Sequence, residues 1–255
     1  LAKTYYAEDR KISPKEIVSV SIMPCTAKKY EADRPEMHDS GYKDVDYVLT
    51  TRELAMMVKQ AGVNFESLPD TKYDRLMGVS SGAGVIFGAT GGVMEAALRT
   101  AHEVVTGKDV PFDNLNIYPV RGMEGVREAT IKIEGTLPEW NFLEGAELKT
   151  VVAHGLSNAK QVMEWVRDGE KEYHFIEIMA CPGGCLGGGG QPIPTNAEIR
   201  KKRAEAIYQA DEELPIRKSH KNPEIIDIYE KFLEKPLGHK SHELLHTKYT
   251  ERERI

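Results

Sequence analysis

Two cysteines four residues apart, in a stretch rich in glycine, constrain this chain more than any other feature. The stretch 179–192 reads MACPGGCLGGGGQP and contains Cys181 and Cys185. Proline and two glycines between the cysteines disfavour a regular helix. We therefore predict a tight loop that brings both sulfur atoms towards one centre, since glycine permits positive φ and close backbone approach. Such thiolate spacing is typical of a zinc or iron–sulfur half-site, or of a redox pair.

Size and charge exclude several classes of protein. The 255 residues suffice for one large domain or two small ones. The only other cysteine is Cys25, so the cysteines form no disulfide framework, which predicts a reducing compartment and, by default, the cytoplasm. A net charge of −6 argues against a surface for nucleic acid. There is no apolar run of about eighteen residues and no signal-peptide core, so we predict no membrane span.

Strand and helix patterns alternate along most of the chain, which predicts an α/β fold with largely parallel strands flanked by helices. Predicted strands at 18–23 and 173–178 run directly into Cys25 and Cys181. Open α/β sheets bind ligands at such strand ends. The other predicted elements are strands at 46–49, 130–134 and 148–153, a helix at 51–60 with a capping box, a helix at 93–105, and a helix to 167 capped by Ser157.

The two ends of the chain are predicted to be helical. Residues 1–10 resemble the tail of a helix that begins upstream. After residue 193 the sequence changes to charged helices, predicted at 196–213, 223–234 and 241–248. We therefore predict two domains, an α/β core at 1–193 and a helical cap at 194–255.

The remaining motifs each allow an ordinary interpretation. The glycines of 82–88 are spaced one residue too far apart for a dinucleotide fingerprint, so close backbone packing explains them better. Met23 and Met179, each two residues before a cysteine, are either core filler or soft walls for a metal centre. Lys28 is either a solvated surface charge or a hydrogen-bond donor beside a metal. His242 and His246, spaced i, i+4, are explained by a surface helix face.

Two of these segments closely resemble signature loops of the iron-iron (FeFe) hydrogenases. They are 22–31 (IMPCTAKKYE) and 177–192 (EIMACPGGCLGGGGQP), and the glycine-rich segment 79–98 is also similar to that family. The resemblance covers nearly the whole chain. It implies a two-lobed catalytic domain followed by a C-terminal helical extension that resembles the small-subunit region.

The resemblance also implies a cofactor and roles for particular residues. The family's H-cluster is a four-iron four-sulfur cubane joined through one cysteine to a diiron unit, and it interconverts protons and dihydrogen. By motif, Cys25 and Cys181 are expected to ligate the cubane and Cys185 to bridge it to the diiron unit. Lys28 is expected to donate a hydrogen bond to a cyanide ligand. The expected lining of the diiron pocket is Met23, Met179 and Phe87.

The sequence departs from the family pattern in one respect. The first signature loop, which supplies the fourth cubane cysteine and a proton-relay cysteine, is not found in these 255 residues, and neither are ferredoxin-like cysteine clusters. The expected partners are therefore an upstream hydrogenase segment or subunit and an electron carrier such as ferredoxin. We expect no turnover from the chain alone, whether it is a truncated, processed or split hydrogenase, or a relative that has lost the activity.

Four functions compete at this point. The first is the catalytic portion of a hydrogenase, which Lys28 and the complete string MPCTAKK favour. The second is the hydrogenase-like scaffold of cytosolic iron–sulfur cluster assembly, and the third is a sensory or regulatory homologue. The fourth, independent of the family, is a zinc-stabilised interaction module.

Overall fold

A computed structural model describes residues 1–74, 77–109 and 122–251. The chain divides into two compact units. Unit 1 comprises Leu1–Val79, Gly189–Pro192 and Pro223–Ile255, and unit 2 comprises Ser80–Gly188 and Ile193–Asn222. Both predicted domains include residues outside the described ranges, namely 75–76 and 110–121 in the core and 252–255 in the cap.

The described residues form strands and helices in alternation. The strands are β1 (Val20–Met23), β2 (Tyr47–Thr50), β3 (Val126–Lys132), β4 (Glu147–His154) and β5 (Phe175–Met179). The α-helices are α1 (Ala7–Arg10), α2 (Ala27–Ala32), α3 (Thr51–Gln60), α4 (Gly82–Val85), α5 (Gly92–Thr106), α6 (Leu156–Arg167), α7 (Ala197–Glu213), α8 (Pro223–Ile228) and α9 (His239–Leu245). Short 3-10 or π-helical segments include Ala2–Tyr6, Ile86–Gly88, Cys185–Gly187 and Tyr229–Leu233. The predicted α/β class is confirmed.

Unit 1 contains a two-stranded parallel sheet, in which Met23 of β1 pairs with Thr50 of β2. The predicted capping box is confirmed, since Thr50 accepts from the Glu53 backbone N–H at 3.2 Å and Glu53 accepts from the Thr50 backbone N–H at 2.8 Å. Hydrogen bonds from the Thr50 backbone, and from Lys29, lower the pKa of Glu53 to about 2. The carboxylate therefore keeps its negative charge beside the positive end of α3.

Unit 2 contains a three-stranded sheet whose central strand is β4, antiparallel to β3 and parallel to β5. Alternate residues of β4 face opposite sides of the sheet. Val152 packs with Met94 and Leu98 of α5, whereas Val151 and Ala153 pack with Val162 of α6. The apolar run of β4 thus serves two helix faces, which explains why it is continuous rather than alternating.

Several predicted boundaries are wrong because tertiary contacts override local signals. Gly155, with φ +82°, precedes α6 in place of the predicted Ser157 cap. Strand β3 starts at Val126 because that residue already pairs with β4. Helix α9 ends at Leu245, and the backbone beyond it is held by Arg34, which donates to the Lys248 carbonyl at 2.5 Å. Among the described residues, no helix is both long and apolar enough to cross a bilayer.

Candidate functional site

The Cys25 loop lies in unit 1 between β1 and α2. The backbone N–H of Gly190 donates to the Pro24 carbonyl at 3.1 Å. A Cβ atom at residue 190 would lie 2.8 Å from the backbone nitrogen of Cys25, closer than real Cβ contacts allow. Only glycine therefore permits this approach, and the glycine run after Cys185 serves in part to contact the Cys25 loop.

Arg52, the second residue of α3, fixes this glycine run within unit 1. Its guanidinium donates to the carbonyl of Gly189 at 2.9 Å and of Gln191 at 3.1 Å, and its backbone N–H donates to Gly190 at 3.4 Å. Three consecutive residues are thus held from one side chain and one amide. The sequence gives no signal for this contact, because the partners lie 137 and 139 positions away.

The Cys181–Cys185 segment in unit 2 is a tight turn after β5, as predicted. Gly183 and Gly184 have φ of +80° and +84°. The Gly184 N–H donates to the Cys181 carbonyl at 3.0 Å, and a 3-10 turn begins at Cys185. Positive φ at both positions explains why two glycines separate the cysteines.

This turn packs directly on the glycine-rich segment before α5. The Thr90 N–H donates to the Gly183 carbonyl at 3.2 Å, and Gly184 forms an antiparallel bridge with Ala89. A Cβ at Gly184 would lie 2.8 Å from the Thr90 nitrogen. Farther back, a Cβ at Gly82 would lie 1.9 Å from an Asp211 oxygen. These contacts support close backbone packing, rather than nucleotide binding, as the role of the segment.

Two buried charged residues that the sequence patterns do not identify hold the segment in place. The carboxylate of Glu177 on β5 accepts from the backbone N–H groups of Gly91 at 2.6 Å and Met94 at 2.8 Å, at the N-terminus of α5. Arg127 on β3 donates to the carbonyl and hydroxyl oxygens of Thr90 at 3.2 and 3.3 Å. Because Thr90 also contacts Gly183, these two side chains support the cysteine turn through the residues between them.

The predicted site residues fall in both units. Unit 1 contains Met23, Cys25 and Lys28, and unit 2 contains Phe87, Met179, Cys181 and Cys185. Met23 and Met179 end β1 and β5, and Phe87 is 47% exposed in the 3-10 turn that precedes Ala89. Lys28 donates to both carboxylate oxygens of Glu31 at 2.7 Å, with its side chain 43% exposed.

The three cysteine sulfur atoms are chemically suited to bind an iron–sulfur cluster. All three cysteines are outside disulfides and half-buried, and cysteine thiolates are the usual ligands of iron–sulfur clusters. Each lies in a loop that follows a strand and is fixed by glycine contacts with backbone. Three thiolates are one fewer than a cubane takes.

We expect Gly184→Ala to destabilise unit 2 by about 3 kcal/mol, because it adds a steric clash with Thr90 to the strain of positive φ. Gly169→Ala is the matched control, since Gly169 also has positive φ, +72°, but its Cβ would contact nothing within 4 Å. That control is expected to cost about 1 kcal/mol. Urea unfolding followed by tryptophan fluorescence reports unit 2, because both tryptophans, Trp140 and Trp165, lie there. Equal losses would mean that the contact with Thr90 is not tight.

We expect Glu177→Gln to change how stability depends on pH. Burial raises the pKa of Glu177 above its ordinary 4.5, and this outweighs the opposing hydrogen bonds from Met94 and Gly91. The folded chain therefore binds a proton more tightly than the unfolded chain, so this carboxyl loses stabilising free energy as pH rises from 4.5 through its raised pKa. Glutamine does not ionise, so the Glu177→Gln variant does not lose stability in this way as pH rises. Unfolding free energies of both proteins across this interval test it, and parallel curves would contradict it.

Two family profiles match the chain. The C-terminal domain of the iron-only hydrogenase large subunit matches residues 1–189, and the iron hydrogenase small subunit matches residues 197–252. The first of these matches includes every predicted site residue, from Met23 to Cys185. The family assignment therefore rests on the segment in which the cysteine loops lie.

Individual proteins agree with these profiles. The chain is 50% identical over 259 residues to the NADP-reducing hydrogenase subunit HndD of Solidesulfovibrio fructosivorans, of which it spans 42%. It is 29% identical over 260 residues to the cytosolic Fe-S cluster assembly factor narfl of Xenopus tropicalis, of which it spans 52%. The chain thus spans about half the length, or less, of these relatives.

A solved structure supports the fold. The [FeFe]-hydrogenase HydA1 from Chlamydomonas reinhardtii, in a variant form, superposes with a TM-score of 0.80 at 45% identity. The alignment covers 97% of this chain and 66% of HydA1. This chain therefore belongs to the iron-only hydrogenase family, and its cysteine loops lie in the part that matches the C-terminal domain of the large subunit.

Proposed function

We propose that this chain is the C-terminal part of the catalytic domain of an FeFe hydrogenase and contributes three cysteine ligands to an H-cluster. Cys25 and Cys181 would ligate the cubane, and Cys185 would be the ligand shared by the cubane and the diiron unit. The observation that carries this proposal is the way the two cysteine loops are built. Each follows a strand, and each is fixed by a backbone contact that only glycine permits, at Gly190 and at Gly184.

The protein supplies binding and surroundings for the group. When bound, the H-cluster supplies the redox chemistry that interconverts two protons and two electrons with dihydrogen. Met23, Met179 and Phe87 would provide apolar, polarisable walls around the diiron unit. Lys28 would donate a hydrogen bond to a cyanide ligand, and its ammonium group would then exchange the contact with Glu31 for one with the cofactor.

Turnover requires protein that these 255 residues do not supply. A fourth cubane cysteine and a relay cysteine come from an upstream hydrogenase segment or from another subunit. Electrons arrive through ferredoxin-like clusters of that partner, or from a carrier such as ferredoxin. A reducing compartment such as the cytoplasm keeps the three thiols available.

The competing function is a cluster-assembly scaffold that carries an iron–sulfur cluster but no diiron unit. The similarity to the Xenopus assembly factor supports it, at a lower identity than that to HndD. A sensory or regulatory homologue would carry the H-cluster but report on hydrogen rather than turn it over. The two chemical signatures that separate these functions are carbonyl and cyanide infrared bands and hydrogen evolution.

The test uses anaerobically purified chain, alone and co-expressed with the part of HndD that this chain does not match, together with the diiron maturation machinery. Iron and acid-labile sulfide are measured first, then infrared spectra, then hydrogen evolution driven by reduced methyl viologen. We expect carbonyl and cyanide bands and hydrogen evolution only in the co-expressed sample. Iron and sulfide without these bands in either sample would instead support the scaffold. Zinc without acid-labile sulfide would exclude the hydrogenase and the scaffold alike.

We expect Lys28→Ala to lower the occupancy of the diiron unit in the completed domain. The reason is that the variant removes the proposed donor to cyanide, whereas the exposed Lys28–Glu31 pair contributes at most about 1 kcal/mol to stability. Glu31→Gln is the matched control, because it removes the same ion pair but keeps the ammonium group. Equal occupancy of the diiron unit in wild type and Lys28→Ala, measured by the infrared bands, would mean that Lys28 is an ordinary surface charge.

A further inference from the structure

A pair of histidines at the end of α9 is not used by the cysteine site. His242 and His246 are four residues apart, and their ring centroids lie 4.4 Å apart at an interplanar angle of 63°. Both side chains are exposed. His246 is the first residue after α9, and its ring contacts that of His242, so the two imidazoles face the same volume of solvent.

The ring nitrogens of this pair are available to a ligand. Within the described part of the chain, neither imidazole takes part in a hydrogen bond or an ion pair, and each contacts the other ring. A nearby histidine, His239 at the start of α9, differs in this respect. It is 96% exposed, and its Nδ1 lies 3.9 Å from a carboxylate oxygen of Glu243.

The backbone on both sides of the pair is anchored within unit 1. At the start of α9, the Ser241 hydroxyl donates to the Lys235 carbonyl at 2.7 Å. Beyond His246, the largely buried guanidinium of Arg34 donates to the Lys248 carbonyl at 2.5 Å and lies 4.6 Å from the Tyr249 ring centroid. These anchors reduce the conformational freedom that the pair would lose on binding a ligand.

We propose that His242 and His246 together bind one divalent transition-metal cation of the Zn²⁺, Ni²⁺ or Cu²⁺ class. Imidazole nitrogen is a preferred ligand of these ions, and hard cations such as Mg²⁺ prefer oxygen. Among the described residues, no third His, Cys, Asp or Glu side chain joins this pair around one metal ion, so water completes the coordination. The site is therefore an open one with two protein ligands.

The sequence order of the site matches a catalytic motif, but the structure supports binding alone. His242-Glu243-Leu244-Leu245-His246 has the H-E-x-x-H order of zinc metallopeptidases, in which the glutamate is the general base. Here Glu243 lies near His239, and α9 ends at Leu245. A bound cation would instead join the last turn of α9 to the segment that Arg34 holds, and so stabilise the C-terminal tail.

The test is isothermal titration of Ni²⁺ into the full chain without an affinity tag, with the cysteines alkylated by iodoacetamide so that thiols do not compete. The variants are His242→Ala and His246→Ala, and the matched control is His239→Ala on the same helix. We expect one Ni²⁺ per chain in wild type and in His239→Ala, and loss of this binding in each of the other two variants. Mg²⁺ is expected to give no heat of binding.

Ni²⁺ binding at this site should also raise the thermal stability of the chain. Ni²⁺ should raise the melting temperature of wild type and His239→Ala but not of His242→Ala, since a ligand stabilises only the state that binds it. All three variants change exposed side chains, so circular dichroism is expected to match wild type. Three results would overturn the two-histidine site. They are no Ni²⁺ binding by wild type, Ni²⁺ binding kept by His242→Ala or His246→Ala, and an equal loss of Ni²⁺ binding in His239→Ala.

Discussion

Asp211→Ala is expected to destabilise unit 2 by about 3–5 kcal/mol, because it removes the main partner of a buried guanidinium. Arg99 donates to the two carboxylate oxygens of Asp211, each at 2.7 Å, and to Glu95 at 2.6 Å. All three side chains are 0% exposed. The variant leaves Arg99 in a site that water does not reach, so the lost hydrogen bonds are not replaced by solvent.

Asp168→Ala is the matched control for this prediction. Asp168 also accepts from an arginine at 2.7 Å, but the side chains of Arg167 and Asp168 are 68% and 48% exposed. An exposed pair contributes at most about 1 kcal/mol, so this variant is expected to unfold almost like wild type. Urea unfolding followed by tryptophan fluorescence measures both variants in unit 2. Similar losses of unfolding free energy in the two variants would mean that burial does not determine how much the Arg99–Asp211 pair stabilises the fold.

The effect of Asp211 should also depend on pH. Burial favours its neutral form, but hydrogen bonds from Arg99 and Arg217 outweigh burial and hold the pKa of Asp211 below its ordinary 3.8. A lowered pKa in the folded state stabilises the fold above the unfolded pKa and loses this contribution as pH falls through the folded value. The difference between wild type and Asp211→Asn is therefore expected to shrink below pH 3.8, and a constant difference would contradict this assignment.

Local sequence signals predict the positions of the cysteine loops. A β-branched run predicts a strand before Cys25, another strand precedes Cys181, and the structure has β1 and β5 there. The Thr50–Glu53 capping box and the tight Gly183–Gly184 turn also follow from residues that are close in sequence. Such features are predictable because the interactions that form them are local.

The supporting contacts are not predictable in this way, because they join residues far apart in the chain. Glu177 accepts from amides 83 and 86 positions away, and Arg99 pairs with Asp211 across 112 positions. The sequence presents each of these only as a charged residue, which is normally exposed. One local clue to burial did exist, since Arg99 lies in the mainly apolar sequence of α5. Nothing near Glu177 or Arg52 identifies the partner of either residue.

Cys185→Ser is expected to abolish the carbonyl and cyanide infrared bands of the completed, matured domain. Serine keeps the size of the side chain but replaces a soft thiolate with a hydroxyl, which is a poor ligand for an iron–sulfur site. The turn itself should persist, because the Gly188 N–H donates to the backbone carbonyl of residue 185 at 3.0 Å, whatever its side chain. The variant therefore tests the sulfur atom rather than the loop.

Two further variants separate the bridging role of Cys185 from a general role in the loop. Cys181→Ser is expected to lower the iron and sulfide content and to weaken the infrared bands. The reason is that Cys181 is proposed to bind only the cubane, without contact to the diiron unit. Pro182→Ala, at an exposed position of the same turn, is expected to keep the bands. Unchanged bands in Cys185→Ser would remove the bridging assignment. Loss of the bands in Pro182→Ala would attribute the effect to the shape of the turn, because that variant leaves every proposed ligand in place.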